Sequence, residues 1–316
     1  MSEILKGVWA RLYAWAFPSA LALGAFWVFV YAKTTLTPAW LTNATDGEML
    51  ALFMAASGAM AITLSALSTA LYRILEGYLL WPAWLQEAGR QRQLRRKQAF
   101  TDALAGTGGG WKKGLALERL ARFPQRDDQV VPTRFGNAIR SFETYGKTRF
   151  NLDSQTLWHE LCAVAPKYIG SEMDSARASV DFFVALFYLG LVFGVATLSA
   201  AVYEGLDRAL VVSGLASLVV VKLSHGMAIR AIDEWSYTVQ ALVNLGRAPL
   251  ATALGLHLPD TLSDEKVMWG LVTRFVYHAD AAAGTALDRF RRTPAVPVAA
   301  GPGAAGSAAQ EEDEDA

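Results

Sequence analysis

The sequence predicts an all-α, polytopic membrane protein with four transmembrane helices and a cytoplasmic helical module, and three observations carry that reading. Only 18% of its 316 residues are charged and its mean hydropathy is +0.24, whereas soluble domains carry about a quarter charged residues. The apolar residues gather in long uncharged runs instead of recurring at core spacing. Lysine and arginine, finally, are shared very unevenly among the segments between those runs.

Residues 12–32 supply 21 positions without a charge, residues 49–72 supply 24 and residues 182–203 supply 22. Each is long enough to cross a hydrocarbon core of ~30 Å at a rise of 1.5 Å per residue. A fourth run, residues 209–229, is interrupted by Lys222 and His225. The first run also admits a cleaved signal peptide, because Lys6 and Arg11 precede it and Val30 with Ala32 resembles a small-residue cleavage site. Its length and the aromatic Trp27, Phe29 and Tyr31 suit a retained anchor better. Orientation follows from basic flanks, which stay cytoplasmic. Residues 73–181 hold 17 Lys and Arg, the stretch from Arg230 onward 7 and the N-terminus 2, while the short intervening loops hold Lys33 and Arg208. Both termini and the central region are therefore expected on the cytoplasmic side of an inner (plasma) membrane. Trp9, Trp15, Trp40, Trp81, Trp84 and Trp235 lie near the expected span ends, where amphipathic rings favour headgroup level.

The chain divides accordingly into a first transmembrane hairpin (1–80), a basic juxtamembrane helix with a Gly-rich linker (81–130) and a cytoplasmic helical module (131–181). A second transmembrane hairpin (182–230), cytoplasmic C-terminal helices (231–292) and a disordered acidic tail (293–316) complete it. The tail is alanine-, glycine- and proline-rich and ends Glu311-Glu312-Asp313-Glu314-Asp315, too polar to build a core. Helix is expected to run on from the second span through Arg73, Glu76 and Tyr78 to Trp81-Pro82, where the proline bends or ends it. Beyond lie Arg90, Arg92, Arg95, Arg96 and Lys97, a cluster able to hold anionic lipid headgroups at ~1 kcal/mol per basic residue. A straight helix would carry them ~30 Å from Arg73, past the ~8 Å Debye length, so lipid contact requires the bend; a solvated helical face is the alternative. Gly106-Thr107-Gly108-Gly109-Gly110 precedes Trp111-Lys112-Lys113, but a phosphate loop needs glycine directly before its lysine and Ser or Thr directly after. It reads as a flexible linker.

The most distinctive wording is Pro132-Thr133-Arg134-Phe135-Gly136-Asn137-Ala138-Ile139-Arg140, followed by Glu143, Tyr145, Arg149-Phe150-Asn151-Leu152-Asp153 and Leu157-Trp158. Thr133 is a plausible cap for a helix over residues 134–147, Asn151 to Ser154 a turn opening a second helix, and a long third helix from Ser171 runs into the membrane. Glu143 and Lys147, four apart, would pair on the first helix. These residues resemble a family of uncharacterised bacterial integral membrane proteins whose hallmark reads Pro-Thr-x-Leu-Gly-Asn-x-(Leu/Ile)-Arg-Ala-x-Glu, then Arg-Tyr-Gly-(Leu/Ile)-Asp and Trp-Pro-Arg-Leu. This chain has Phe135 for the leucine, Phe150-Asn151 for Tyr-Gly and Trp158-His159-Glu160-Leu161 for Trp-Pro-Arg-Leu. A second likeness involves Leu258-Pro259, Leu262, Asp264-Glu265 and Trp269. The resemblance implies a membrane-anchored cytoplasmic helical module without established catalytic residues.

Equal numbers of basic and acidic residues, 29 each, give no support to a nucleic-acid binder. One cysteine, Cys162, excludes an internal disulfide and reads as a small buried filler. No metal site or cofactor is expected: His159-Glu160 has Ala163 where a metallopeptidase helix needs histidine, and His257 and His278 lack neighbouring ligands. Lys222 and His225 share a helix face and mark a possible ion path; alternatively Lys222 snorkels to the headgroups or pairs with Asp181, Asp233 or Glu234. Gly190 and Gly194 form a GxxxG for close helix packing, within the chain or between copies. The expected function is a non-catalytic inner-membrane scaffold or signalling protein that binds a protein partner or a second copy. Arg134, Asn137, Arg140, Glu143, Asp153 and Trp158 are the candidate contacts, with capping and hydrogen bonding inside the module as the competing role. A channel, transporter or pore-forming effector built on the third and fourth spans is the alternative.

Overall fold

The computed structural model describes residues 2–31 and 44–291, with the side chains of the first helix from residue 13 onward. Lys33, Trp40 and the acidic tail fall outside the described residues, as do the side chains of Lys6, Trp9 and Arg11. The helices are α1 (Ser2–Phe29), α2 (Asp46–Glu76), α3 (Ala83–Ala105), α4 (Gly110–Ala121), α5 (Arg134–Glu143), α6 (Tyr145–Phe150), α7 (Trp158–Val164), α8 (Lys167–Tyr203), α9 (Arg208–Ala253), α10 (Leu262–His278) and α11 (Ala281–Ala286). Among the described residues, the one departure from helix pairing is an isolated antiparallel bridge between Leu256 and Arg291.

Three helices are long and apolar enough to cross a membrane: α2, α8 and α9. Of the most apolar stretch of each, only 11%, 28% and 28% is buried inside the chain. Met54, Ile62, Val192, Val195, Val212, Leu215 and Val219 thus point outward, an apolar surface that calls for hydrocarbon around it. Helix α1 has a shorter apolar stretch, Tyr13–Phe29, laid along α8. Phe17 stacks on Phe182 at 6.2 Å at one end, and Val30 clusters with Ala201 and Leu210 at the other. Trp15, expected at headgroup level, is instead 3% exposed within the bundle core.

Helices α8 and α9 form an antiparallel hairpin with small residues along its seam. A Cβ on Gly194 would lie 2.3 Å from Ser217 Oγ, and one on Gly214 would lie 2.7 Å from Leu198. Gly190 faces Val221 in the same way, at 3.1 Å. The GxxxG therefore packs inside the chain, because the opposing serine and glycine leave room for backbone and little else. Helix α2 is tied to α8 by Tyr72, whose hydroxyl donates to Asp181 Oδ1 at 2.7 Å, and by Tyr188, whose hydroxyl donates to the Leu71 carbonyl at 2.8 Å.

Local signals explain most helix ends. Thr45 and Glu48 form a reciprocal capping box on α2, and Asp207 accepts from the Ala209 and Leu210 amides to start α9. Helix α2 ends at Glu76, earlier than the proline implied, because Gly77 takes a left-handed φ of 94°. Pro82 then opens α3 as its N-terminal flank. Helix α8 begins at Lys167 behind Pro166, slightly ahead of the expected Ser171.

The cytoplasmic-side expectation of one helix over 134–147 is corrected. Helix α5 stops at Glu143, where the Thr144 hydroxyl donates to the Arg140 carbonyl at 2.9 Å, and α6 ends at Asn151 with a left-handed φ of 58°. The expected Glu143–Lys147 pair is lost with the break. Glu143 instead meets Arg140 at 3.4 Å, one turn back.

Replacing Gly194 with isoleucine should wedge α8 from α9 and cost about 1–3 kcal/mol or more as overpacking. Detergent-solubilised Gly194→Ile is expected to melt lower than the parent at unchanged particle mass by light scattering; a change in mass with stability intact would return the GxxxG to a contact between copies.

Candidate functional site

The distinctive residues 131–158 lie where the small helices α5, α6 and α7 meet one end of the long ones. Helix α5 places Phe135, Ala138, Ile139 and Phe142 in a single core with Val180 and Val184 of α8 and Ala228, Ile229 and Ile232 of α9. Leu152, Leu157 and Leu161 join a second core with Leu242, Val243 and Leu250 further along α9 and Met268, Trp269 and Val272 of α10. Trp158 packs against both, so its aromatic face is committed to joining them.

Asn137 is likewise committed. It is 1% exposed, its Oδ1 accepts from the Val131 amide at 2.9 Å, and its Nδ2 donates to the Val131 and Thr133 carbonyls at 2.8 and 2.7 Å. Thr133 caps α5 as its position suggested, its hydroxyl accepting from the Gly136 amide at 2.9 Å. Three glycines admit the segment to its seat. A Cβ on Gly136 would stand 2.8 Å from the Glu76 carbonyl, and one on Gly89 would stand 2.8 Å from Pro132 Cβ. Gly77, already left-handed, faces Pro132 at 3.0 Å. Asp153 accepts from the Gln155 and Thr156 amides, both at 3.2 Å, in a turn of its own. Asn137, Asp153 and Trp158 therefore serve the internal role that competed with partner contact.

Arg134 and Arg140 keep solvent access. Arg140 lines a groove of about 360 Å³ with Tyr78, Gln86, Arg90, Asp128 and Pro132. Its Nη1 reaches Glu143, but its buried Nε has no hydrogen-bond acceptor among the described residues. Burial pushes the Glu143 carboxyl above the usual carboxylate range, with Arg140 pulling partly the other way. Arg73 and Glu76 belong to the same charged neighbourhood.

The five-residue basic cluster does not act as one surface. Arg90 pairs with Glu87 at 3.0 Å, and Lys97 donates to Asp127 and to the Gln125 carbonyl at 2.7 and 2.8 Å. Arg92 and Arg95 are exposed. Arg96 turns into a pocket with Arg119, Arg122 and Arg134, a grouping that sequence spacing does not disclose because its members come from three helices and the turn after α4. Arg122 grips Asp233 of α9 through two hydrogen bonds of 2.8 and 2.7 Å, and also meets Glu118 at 2.7 Å. That bidentate clamp, also invisible in the sequence, fastens α4 to α9 just past the fourth apolar run.

Lys222 is exposed and His225 half-buried, its ring edge-on to Phe187 at 5.8 Å. Of the carboxylates considered for Lys222, Asp233 is held by Arg122 and Asp181 accepts from Tyr72. Among the described residues no group of three or more His, Cys, Asp and Glu is placed to hold a metal ion. Cys162 is half-buried beside the second core, and burial raises its thiol pKa, which makes it a poor nucleophile. No family model, curated protein or solved structure matches the chain.

Two outcomes test this geometry. Asn137→Ala should lose about 1–3 kcal/mol for each Val131 group left buried and unpaired, seen as a lower unfolding midpoint in detergent. For Glu143, the native carboxyl titrates above its ordinary value of 4.5, so the native state binds the proton more tightly than the unfolded chain does. Its ionisation opposes folding at neutral pH, and the penalty fades as pH falls through the raised native pKa toward 4.5. Glu143→Gln should therefore be more stable than the parent at pH 7, with the difference vanishing by about pH 4; an equal difference at both pH values would contradict the burial argument.

Proposed function

We propose that this chain is a four-span inner-membrane protein, both termini cytoplasmic, acting as a non-catalytic scaffold or signalling component whose helical module binds a protein partner. The observation that carries the reading is Arg140: an arginine fixed by α5, open to a groove, with a buried N–H lacking an acceptor. Buried donors in folded chains are ordinarily satisfied, and a partner carboxylate or carbonyl meeting the exposed part of the guanidinium could draw the side chain to where this donor is satisfied too. Support for rigid presentation comes from α9, which contributes to both cores, so a partner held by the module is held at a set distance from the bundle. The four-span reading is supported by the course of α1, whose apolar stretch accompanies α8 from Phe17 beside Phe182 to Val30 beside Ala201. The excess of basic residues on the module side supports a cytoplasmic module.

In-cell crosslinking followed by affinity purification, with Arg140→Glu beside the parent, tests the partner. The parent is expected to capture a specific protein that the variant loses; identical capture by both would sink the role given to Arg140. Topology is tested separately with single cysteines in a Cys162→Ala background. A thiol at Asp207 should react with an impermeant maleimide from outside, and one at Gly108 only after the membrane is opened.

A further inference from the structure

The arginine pocket between α3, α4, α5 and α9 has a charge imbalance that the scaffold reading does not use. Its volume is about 270 Å³, and Arg96, Arg119, Arg122 and Arg134 line it without a single carboxylate. Arg122 is neutralised by Asp233 and Glu118. The other three have no acidic partner among the described residues. Arg119 lies 5.7 Å from the Phe100 ring, and Phe100 meets Phe123 edge-on at 6.2 Å, so an aromatic wall stands against one of the guanidinium groups. Arg96 is half-buried, and burial together with the charges of Arg134, Arg92 and Arg119 lowers its pKa. Folding has thus brought the half-buried Arg96 together with the exposed Arg119 and Arg134 around one pocket, with like charges facing each other. An anion entering the pocket would relieve their repulsion.

Guanidinium forks match the oxygens of phosphate, and several converging on one point are the usual means of holding it. The pocket is smaller than the range that encloses drug-sized ligands, which suits a single headgroup better than a nucleotide. Ile229 forms part of its wall, and that residue closes the fourth apolar run, next to Arg230. Arg134 is also within electrostatic reach of His225, one turn back along α9. The pocket therefore borders the end of the fourth apolar run.

We infer that Arg96, Arg119 and Arg134 form a binding site for a phosphate-bearing anion, supplied by an anionic phospholipid headgroup at the membrane surface or by soluble phosphate. The lipid source rests on the membrane placement proposed above, which the maleimide labelling tests independently; the arginine chemistry does not.

The full chain, reconstituted in phosphatidylcholine nanodiscs with and without phosphatidylglycerol, is released into detergent and its retained lipids are counted by native mass spectrometry. In parallel, inorganic phosphate and pyrophosphate are titrated calorimetrically into detergent-solubilised protein. The parent should retain phosphatidylglycerol over phosphatidylcholine, and affinity should fall on the order of fivefold for each arginine removed in Arg96→Gln, Arg134→Gln and their combination. Arg95→Gln, exposed and outside the pocket, should bind as the parent does. Arginine-dependent phosphate or pyrophosphate binding without lipid preference would support the site and assign the soluble source. Should the combined variant fail to fold, Arg119→Gln carries the test, since that side chain is exposed and makes no hydrogen bond with the described residues. Parent-like retention and titration in the folded variants, or equal loss in Arg95→Gln, would overturn the proposal.

Discussion

The structure depends on one helix having to satisfy two environments without a break. Helix α9 runs for 46 residues, about 70 Å at the α-helical rise, more than twice the thickness of a hydrocarbon core. Its first half presents a small-residue stripe to α8 and an apolar surface outward. Its second half keeps α8 on one side, through Ile169, Met173 and Val180, but must bury further apolar residues on its other sides. The short helices α5, α6 and α7 supply what is missing. They are amphipathic pieces whose apolar faces are buried against α8 and α9 together, and α9 past Ile229 is enclosed by them, by α8 and by α10. That mutual requirement fuses the module to the membrane helices.

Polar contacts then set how the pieces are oriented, and each sits at a junction. Tyr72 to Asp181 fixes the end of α2 against α8, Arg122 to Asp233 fixes α4 against α9, and Arg247 to Glu265 fixes the far end of α9 against α10. In the last, Glu265 is 4% exposed yet accepts two hydrogen bonds from Arg247 at 2.8 and 2.6 Å and one from the Trp269 indole at 3.1 Å. Burying a carboxylate is tolerable only with its oxygens satisfied in this way. Such pairs add little net stability compared with apolar packing, but they penalise any arrangement in which one partner is buried alone.

What the sequence discloses follows from the range of the physics involved. The long apolar runs and the Thr133 cap are local, and they read directly, whereas the second long helix ends at its Gly77 cap and not at Trp81-Pro82. The reading over residues 134–147 failed because a three-dimensional neighbour overrode periodicity: a Cβ on Gly146 would lie 2.8 Å from the Leu152 carbonyl, and Asn151 turns left-handed while donating to the Lys266 carbonyl at 2.9 Å. Arg90, Arg92, Arg95, Arg96 and Lys97 look like one patch only while neighbours are ignored; Glu87 and Asp127 remove two of them from it. The pocket that does assemble draws Arg119 and Arg134 from other helices, and only tertiary structure adds them to Arg96. Asn137, polar and flanked by basic residues, reads as a surface contact until Val131 folds back onto it.

Lys222 bears on the rival idea of a conduit through the α8–α9 hairpin. On α9 the buried stripe runs through Ser213, Gly214, Ser217, Ser224 and Ala228. At 100° per residue Lys222 projects about 140° from Ser217 and about 160° from Ser224, nearly opposite the seam, among the exposed Val219 and Leu223. A path through the hairpin would need its charge on the inner side. On the outer side, the ammonium faces away from α8 and, among the described residues, has no carboxylate of the seam beside it. The lysine that invites a transport hypothesis thus stands outside the α8–α9 seam, where its charge cannot line a path between those two helices.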